Sequence, residues 1–178
     1  HQAHSFVRGP WRNKEQSSPM ILAKCCHDMD ILRWLIGKRC LSVSSFGGLR
    51  IFKKENAPEN SADYCSDCSV DCIYKAQKLY TDKSKVDFTG YFCNDASSDE
   101  KILRDLKHSQ YDRCVYKCDN DVVDHQIVSM EMESEVTINF SMDVFTLKDN
   151  RETHICLTEG EIDGDATTLR VTRSRGEK

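Results

Sequence analysis

The chain has 178 residues, of which 39% are hydrophobic and 30% are charged, a balance typical of a soluble globular domain that can bury a core. Its 25 basic and 29 acidic residues give a net charge of −4, which argues against nucleic-acid or anionic-membrane partners because both require a basic patch. No apolar run approaches the ~20 residues needed to cross a bilayer.

Ten cysteines are a high count for this length. In a secreted protein they would indicate a disulfide framework, but the first residues lack the apolar core of a signal peptide. We therefore expect a cytoplasmic protein in which metal ligands or free thiols are favoured, with disulfides still an open alternative.

The first third of the chain is predicted to form a strand, a helix and a second strand. Residues 4–9 (HSFVRG) alternate well enough for a strand. After a loop, a helix is predicted to begin near Pro19, where a missing N–H is harmless, and to end at Gly37, a residue typical of helix C-termini. Residues 40–52 are predicted to form a strand with a bulge or turn at Gly47–Gly48.

The rest of the chain is predicted to be a long insertion followed by strands. Residues 54–112 are polar and cysteine-rich, with short helices predicted at 72–80 and 98–108. Strands are predicted at 113–118, 125–133, 136–146, 153–158 and 168–173, with a hairpin-like corner at 158–165. This order indicates one α+β domain over residues 1–178, an open and predominantly antiparallel β-sheet with helices packed on one face.

The predicted helix carries polar residues within an apolar run, LAKCCHDMDILRWLIG (22–37). Lys24 lies three residues before His27 and Asp30 three residues after it, so a continuous helix would bring the three side chains together. One interpretation is a proton-exchanging histidine whose pKa and orientation are set by these neighbours. The other is a structural histidine paired with a carboxylate on a packed helix.

Two further groups are candidates for substrate contact. Arg8, Trp11 and Arg12 precede the helix, and guanidinium groups beside an aromatic face suit a polyhydroxylated or acidic substrate. Asp124 and His125 stand at the entrance of a predicted strand, where a pocket could recruit them. A solvated loop anchored by one tryptophan remains the alternative for the first group.

The insertion contains a thiol cluster, Cys65, Cys68 and Cys72, spaced C-x₂-C-x₃-C. Three thiolates so close in sequence could hold zinc or an iron–sulfur cluster, with a fourth ligand from Cys93, Cys114 or Cys118. Disulfides and free thiols remain open, because a strong zinc signature would show two paired knuckles.

The sequence contains no GxGxxG turn after a strand and no Walker loop. Three of its segments resemble the C-terminal domain of Gfo/Idh/MocA-type oxidoreductases: WRNKEQSSPMILAKCCHDMDILRWLIG (11–37), CVYKCDNDVVDHQIVSMEM (114–132) and ETHICLTEGEIDGD (152–165). The first carries the family's HDxD, LxWL and glycine, and the last resembles its strand–turn segment. The resemblance covers nearly the whole chain.

The resemblance implies a function as well as a fold. In such enzymes this domain forms a large open sheet that holds the substrate and often mediates dimerisation, while a separate N-terminal Rossmann domain binds NAD or NADP. By position, His27 matches the family's catalytic histidine. Many members carry an aspartate four residues earlier, where this chain has Ala23, so Lys24 is the expected polar partner.

We therefore expect the substrate-binding and dimerisation part of an NAD(P)-dependent oxidoreductase acting on a sugar, a polyol or a related hydroxy compound. The homo-oligomer would form through the sheet, and neither nucleic acid nor membrane is an expected partner. The alternative is a non-catalytic binding or dimerisation domain, truncated from such an enzyme, with a structural metal such as zinc. A small thiol- or metal-based protein built around the cysteines is a third interpretation.

Overall fold

The computed structural model describes residues 2–84, 87–146 and 150–174. The chain divides into two compact units, residues 1–144 and residues 145–178. None of the helices in the described ranges combines the length and apolar character needed to cross a membrane.

The first unit opens with a π-helix, Ala3–Arg8, and not with the predicted strand. All six of its residues are buried. The strand prediction was wrong because a segment buried on every side must satisfy its backbone hydrogen bonds internally, which a helical turn does and a lone strand cannot. Gly9 follows the π-helix and lets the backbone pass close to its last turn. A Cβ at this position would lie only 2.6 Å from the carbonyl oxygen of His4.

The predicted long helix is broken in two. Helix α1 spans Met20–Ala23 and helix α2 spans Cys26–Ile36, with non-helical backbone at Cys25 between them. On one continuous helix Met20 and Cys25 would point about 140° apart, and the break lets both side chains be buried. The predicted end at Gly37 is confirmed: its φ of 63° is left-handed, and its N–H donates to the carbonyl of Arg33.

A three-stranded antiparallel sheet follows, with strands β1 (Cys40–Gly48), β2 (His125–Met132) and β3 (Thr137–Asp143) in the order β1-β2-β3. Its register places Val128 opposite Ser45 and Phe140, and Ile127 opposite Phe46 and Ser141. On the face that carries Val128, strands β2 and β3 are buried or half-buried while β1 is exposed, and the face that carries Ile127 is exposed. The irregularity in β1 lies between Cys40 and Ser42, not at Gly47–Gly48 as predicted.

The insertion folds around a core of its own. Helices α3 (Ala76–Thr81) and α4 (Asp99–Leu106) confirm the two predicted helices. Short 3-10 turns lie at Lys54–Asn56, Cys65–Asp67, Thr89–Tyr91 and Gln110–Asp112, and a further one, Glu133–Glu135, joins β2 to β3. Seven buried side chains form the core of the insertion: Cys65, Ala76, Tyr80, Cys93, Ile102, Leu106 and Tyr111.

The strand predicted at residues 113–118 does not form. Only an isolated bridge joins Tyr64 to Arg113, after which the chain turns and the N–H of Lys117 donates to the carbonyl of Cys114. The prediction was wrong because no neighbouring strand continues the ladder beyond Arg113, and Val115 is buried instead in a cluster with Ala3, Val7 and Phe52.

The second unit contains a separate three-stranded antiparallel sheet. Its strands are β4 (Thr153–Leu157), β5 (Gly160–Gly164) and β6 (Leu169–Arg173), in the order β4-β5-β6. Strand β5 occupies most of the predicted hairpin-like corner at 158–165. The α+β class and its antiparallel pairing are confirmed, with the strands distributed over two sheets.

Candidate functional site

His27 lies in the first turn of α2 with its side chain exposed, and Asp30, one turn later, is exposed as well. Lys24 is half-buried at the break between the two helices. Because the helix is interrupted between Lys24 and His27, their spacing no longer predicts that they converge. The described residues show no hydrogen bond or ion pair among the three side chains.

An apolar stripe continues from His27 along α2. Ile31 and Trp34 lie four and seven residues after His27, on the same side of the helix, and Leu35 is adjacent. Their side chains remain 49%, 77% and 47% exposed, respectively. Large apolar residues exposed together in this way mark a surface suited to a partner.

The segments that carry the other candidates pack near α1. Phe6, Met20 and Val122 form a buried cluster, and Ala23 and Val123 pack against it. Trp11 adds an aromatic contact to Phe6, with ring centroids 6.0 Å apart. The cluster therefore links the loop after the π-helix, helix α1 and the segment that leads into His125.

Asp124 and His125 form a hydrogen-bonded pair. Asp124 is fully buried, and its Oδ1 lies 2.8 Å from Nδ1 of His125, whose side chain is 48% exposed. The other carboxylate oxygen of Asp124 accepts the backbone N–H groups of Arg50 and Ile51, both at 2.8 Å. A buried carboxylate thus fixes the orientation of a solvent-facing imidazole, an arrangement suited to proton exchange or substrate contact.

Arg12, a predicted substrate contact, instead forms an ion pair with Asp119 of the same chain. Its guanidinium donates to both carboxylate oxygens of Asp119, at 2.9 and 3.3 Å, and Arg113 contacts the same carboxylate at 2.7 Å. The Arg12 hydrogen bond, together with that from Arg113, holds the pKa of Asp119 well below its usual range. Trp11, at the same loop, is exposed.

Arg8 lies in the interior, with no exposed surface. Its Nε donates to the carbonyl of Arg113 at 2.7 Å and its Nη2 donates to the carbonyl of Tyr74 at 2.8 Å. Nη2 also lies 3.5 Å from Sγ of Cys65, and Nη1 has no hydrogen-bond partner. The burial of Arg8 separates it from the solvent-facing candidates Trp11 and His125.

Arg8 lines a small cavity of about 20 Å³ together with four cysteines. Three of these are the predicted thiol cluster, Cys65, Cys68 and Cys72, and the fourth is Cys114. All four are free thiols. Burial raises the pKa of the Cys114 thiol, so an isolated thiol there would be neutral.

A further group of potential ligands, not predicted from the sequence, lies on the second unit. His154, Glu161 and Asp163 place one potential ligand atom each within 4.8 Å of one another, the only such group of three or more in the described ranges. Nδ1 of His154 lies 2.7 Å from Asp163, and its Nε2 lies 3.2 Å from Sγ of Cys156. The alternation of His154 and Cys156 along one strand is the signal that could have indicated a shared face.

Residues 1–174 match the family model described as "Oxidoreductase family, C-terminal alpha/beta domain" of the Gfo/Idh/MocA group. The chain belongs to this family. The match covers essentially the whole chain and confirms the resemblance seen in the sequence. No curated protein and no solved structure is similar enough to match the chain.

Proposed function

We propose that this Gfo/Idh/MocA domain is the substrate-binding part of an NAD(P)-dependent oxidoreductase that acts on a sugar, a polyol or a related hydroxy compound. The observation that carries the proposal is the position of His27, exposed at the end of an apolar stripe formed by Ile31, Trp34 and Leu35. A cofactor domain that docked on this stripe would bring a nicotinamide close to an imidazole that is free to exchange protons.

The dinucleotide is assigned to a separate Rossmann domain. The strand pairs in the described ranges are all antiparallel, whereas a dinucleotide site requires a parallel βαβ unit. NAD(P), when bound, would supply the hydride acceptor. His27 would take the proton of the substrate hydroxyl as the hydride leaves the substrate carbon, so that one O–H and one C–H bond break while the C=O bond forms.

The remaining polar candidates would position the substrate. His125, held by Asp124, and the exposed Trp11 both lie on segments that pack around the cluster of Phe6, Met20 and Val122. An aromatic face and an oriented imidazole are groups that bind polyhydroxylated compounds. Lys24, at the helix break, would stabilise the developing alkoxide, and Asp30, one turn after His27, would help to orient the imidazole.

The test uses the protein as isolated from its natural source, whatever its length there. We expect NAD(P) reduction with members of a sugar and polyol panel, and a loss of about 10²-fold in kcat for His27→Asn with the KM for NAD(P) unchanged. His108→Asn, a second exposed histidine, is the matched control and should keep wild-type turnover. Full activity in His27→Asn would remove His27 from the mechanism, and a protein inactive on every substrate would be assigned as a non-catalytic binding domain.

We also propose that the domain self-associates through the exposed face of its first sheet. Phe46 and Ile127 are directly paired on that face and are 71% and 51% exposed. We expect a dimer by light scattering, with Phe46→Ser shifting it to the monomer. Ile73→Ser, which alters an equally exposed apolar residue outside the sheet, should leave the dimer intact; a monomeric wild-type protein would refute the proposal.

A further inference from the structure

Four cysteines line one small cavity: three from residues 65–72 of the insertion and one from the segment that follows the insertion. Cys65 lies in a 3-10 turn, Cys68 and Cys72 lie in the loop that follows, and Cys114 lies in the turn after the Tyr64–Arg113 bridge. The cavity volume of about 20 Å³ is that of a site for one water-sized guest. No aspartate or glutamate of the described ranges lines it.

The charge of Arg8 is not balanced at this cavity. The guanidinium is fully buried, its hydrogen bonds go to two neutral carbonyls and one thiol, and it forms no ion pair with any described carboxylate. Its Nη1 is buried without a hydrogen-bond partner. A buried cation without a counter-charge is unfavourable, so we expect a negative group next to Arg8.

A second cation lies on the cavity wall. Lys75 lines the cavity, and its Nζ donates to the carbonyl of Cys68 at 2.9 Å. Four neutral thiols, or two disulfides, would leave both Arg8 and Lys75 without a counter-charge at the cavity. A divalent ion bound by four thiolates carries a net charge of −2, which the two cations cancel.

We infer that Cys65, Cys68, Cys72 and Cys114 bind one zinc ion as thiolates, with Arg8 and Lys75 as the charge-balancing groups around it. Each thiol gives its proton to solvent as the zinc–sulfur bond forms. In the described structure no three of these sulfurs lie within 4.8 Å of one another, so binding requires the side chains to turn inwards to the ~2.3 Å zinc–sulfur distance. This inference does not depend on the proposed oxidoreductase activity.

The first experiment measures zinc in the full chain, purified without added metal or chelator, by elemental analysis together with a count of reactive thiols under denaturing conditions. We expect about one zinc per chain and ten titratable thiols once the metal is removed. A chain without zinc and with ten free thiols would overturn the inference. A disulfide that includes Cys65, Cys68, Cys72 or Cys114, located by peptide mapping under non-reducing conditions, would also overturn it.

The second experiment identifies the ligands without relying on any single variant to fold. Cobalt(II) added alone to the metal-free chain should produce the intense absorption of thiolate-to-cobalt charge transfer, and each of Cys65→Ser, Cys68→Ser, Cys72→Ser and Cys114→Ser should weaken it. Cys93→Ser, a buried cysteine outside the cavity, is the matched control. Retention of the full signal in Cys65→Ser and Cys114→Ser, or its loss in His154→Asn, would place the metal elsewhere and refute the site.

Arg8→Met tests the role of the counter-charge. If Arg8 stabilises the zinc–thiolate centre, the variant should lose zinc to a competing chelator at least ten times faster than the wild-type chain. Arg12→Met, whose guanidinium pairs with Asp119 outside the cavity, should release zinc at the wild-type rate. Equal release rates in Arg8→Met and wild type would remove Arg8 from the centre.

Discussion

The Nδ1 atom of His4 lies 2.8 Å from the hydroxyl oxygen of Tyr80, 76 positions further along the chain. The imidazole is stacked between two rings, with centroids 4.3 Å from Phe88 and 4.7 Å from Tyr111. Burial lowers the pKa of His4 from 6.5 to about 4. The folded protein therefore holds this histidine in its neutral form at a pH where the unfolded chain protonates it.

The first prediction concerns acid stability. Because the folded pKa of His4 lies below the unfolded value, its contribution is fully present above pH 6.5 and is lost as the pH falls through 6.5 towards 4. We expect the free energy of unfolding to be about 2 kcal/mol lower at pH 5 than at pH 7.5 from this group alone. Urea denaturation at the two pH values measures the difference.

His4→Phe isolates this contribution, since it keeps an aromatic ring between Phe88 and Tyr111 but cannot be protonated. The pH dependence between 7.5 and 5 should become flatter in this variant. His108→Asn removes an exposed histidine whose left-handed backbone suits asparagine, and it should keep the wild-type slope. An unchanged slope in His4→Phe would contradict the assignment.

Asp112 is predicted to be a stabilising residue of the insertion. It is fully buried, and its carboxylate accepts the N–H and hydroxyl of Ser66 and the N–H of His108. Asp112→Ala should lower the free energy of unfolding by about 2–4 kcal/mol because three donors lose their buried acceptor. Chemical denaturation checks this, with Asp71→Ala, an exposed carboxylate, expected to stay close to wild type.

Asp124 is predicted to hold the chain in place where it leaves the end of strand β1. Its buried Oδ2 accepts the backbone N–H groups of Arg50 and Ile51, just beyond strand β1. Asp124→Ala should speed amide hydrogen exchange at these two residues at least tenfold, whereas exchange in the middle of β2 should change little. Equal acceleration across the whole sheet would mean that the substitution destabilises the unit globally.

Gly37 provides a test of backbone strain separate from packing. A Cβ at Gly37 would contact nothing within 4 Å, but its φ of 63° disfavours any other residue type. Gly37→Ala should therefore cost about 1 kcal/mol through conformation alone. Gly90→Ala, equally open and without the left-handed φ, should show no comparable cost in the same thermal denaturation assay.

The sequence predicts elements well where local chemistry decides them. Gly37 ends the helix, the alternating residues of β2 and β3 pair as strands, and α3 and α4 form in the insertion. It fails at residues 4–9, because alternation describes a segment with one buried face and these residues are buried on all sides. Burial of that kind depends on partners far along the chain.

The same limit applies to the candidate site. The spacing of Lys24 and His27 assumes a continuous helix, which the break at Cys25 removes. The charge of Arg8 suggested a substrate contact, but the carbonyls of Tyr74 and Arg113 that hold it inside leave no trace in the sequence. Asp124 and His125 are predicted as candidates at a strand entrance, but the hydrogen bond between them is not, because consecutive residues of a strand point to opposite faces.

The buried π-helix at Ala3–Arg8 determines how the first unit can assemble. Its residues bridge separate parts of the core: Ala3 and Val7 belong to one cluster, Phe6 to a second, and His4 reaches Tyr80 in the core of the insertion. Met20 and Phe52 are among the nearer partners, but Tyr80, Val115 and Val122 lie more than 70 positions downstream, so large loops must close before the segment is enclosed. Opening this one segment would expose three clusters together, and its amide protons should exchange only when the whole unit unfolds.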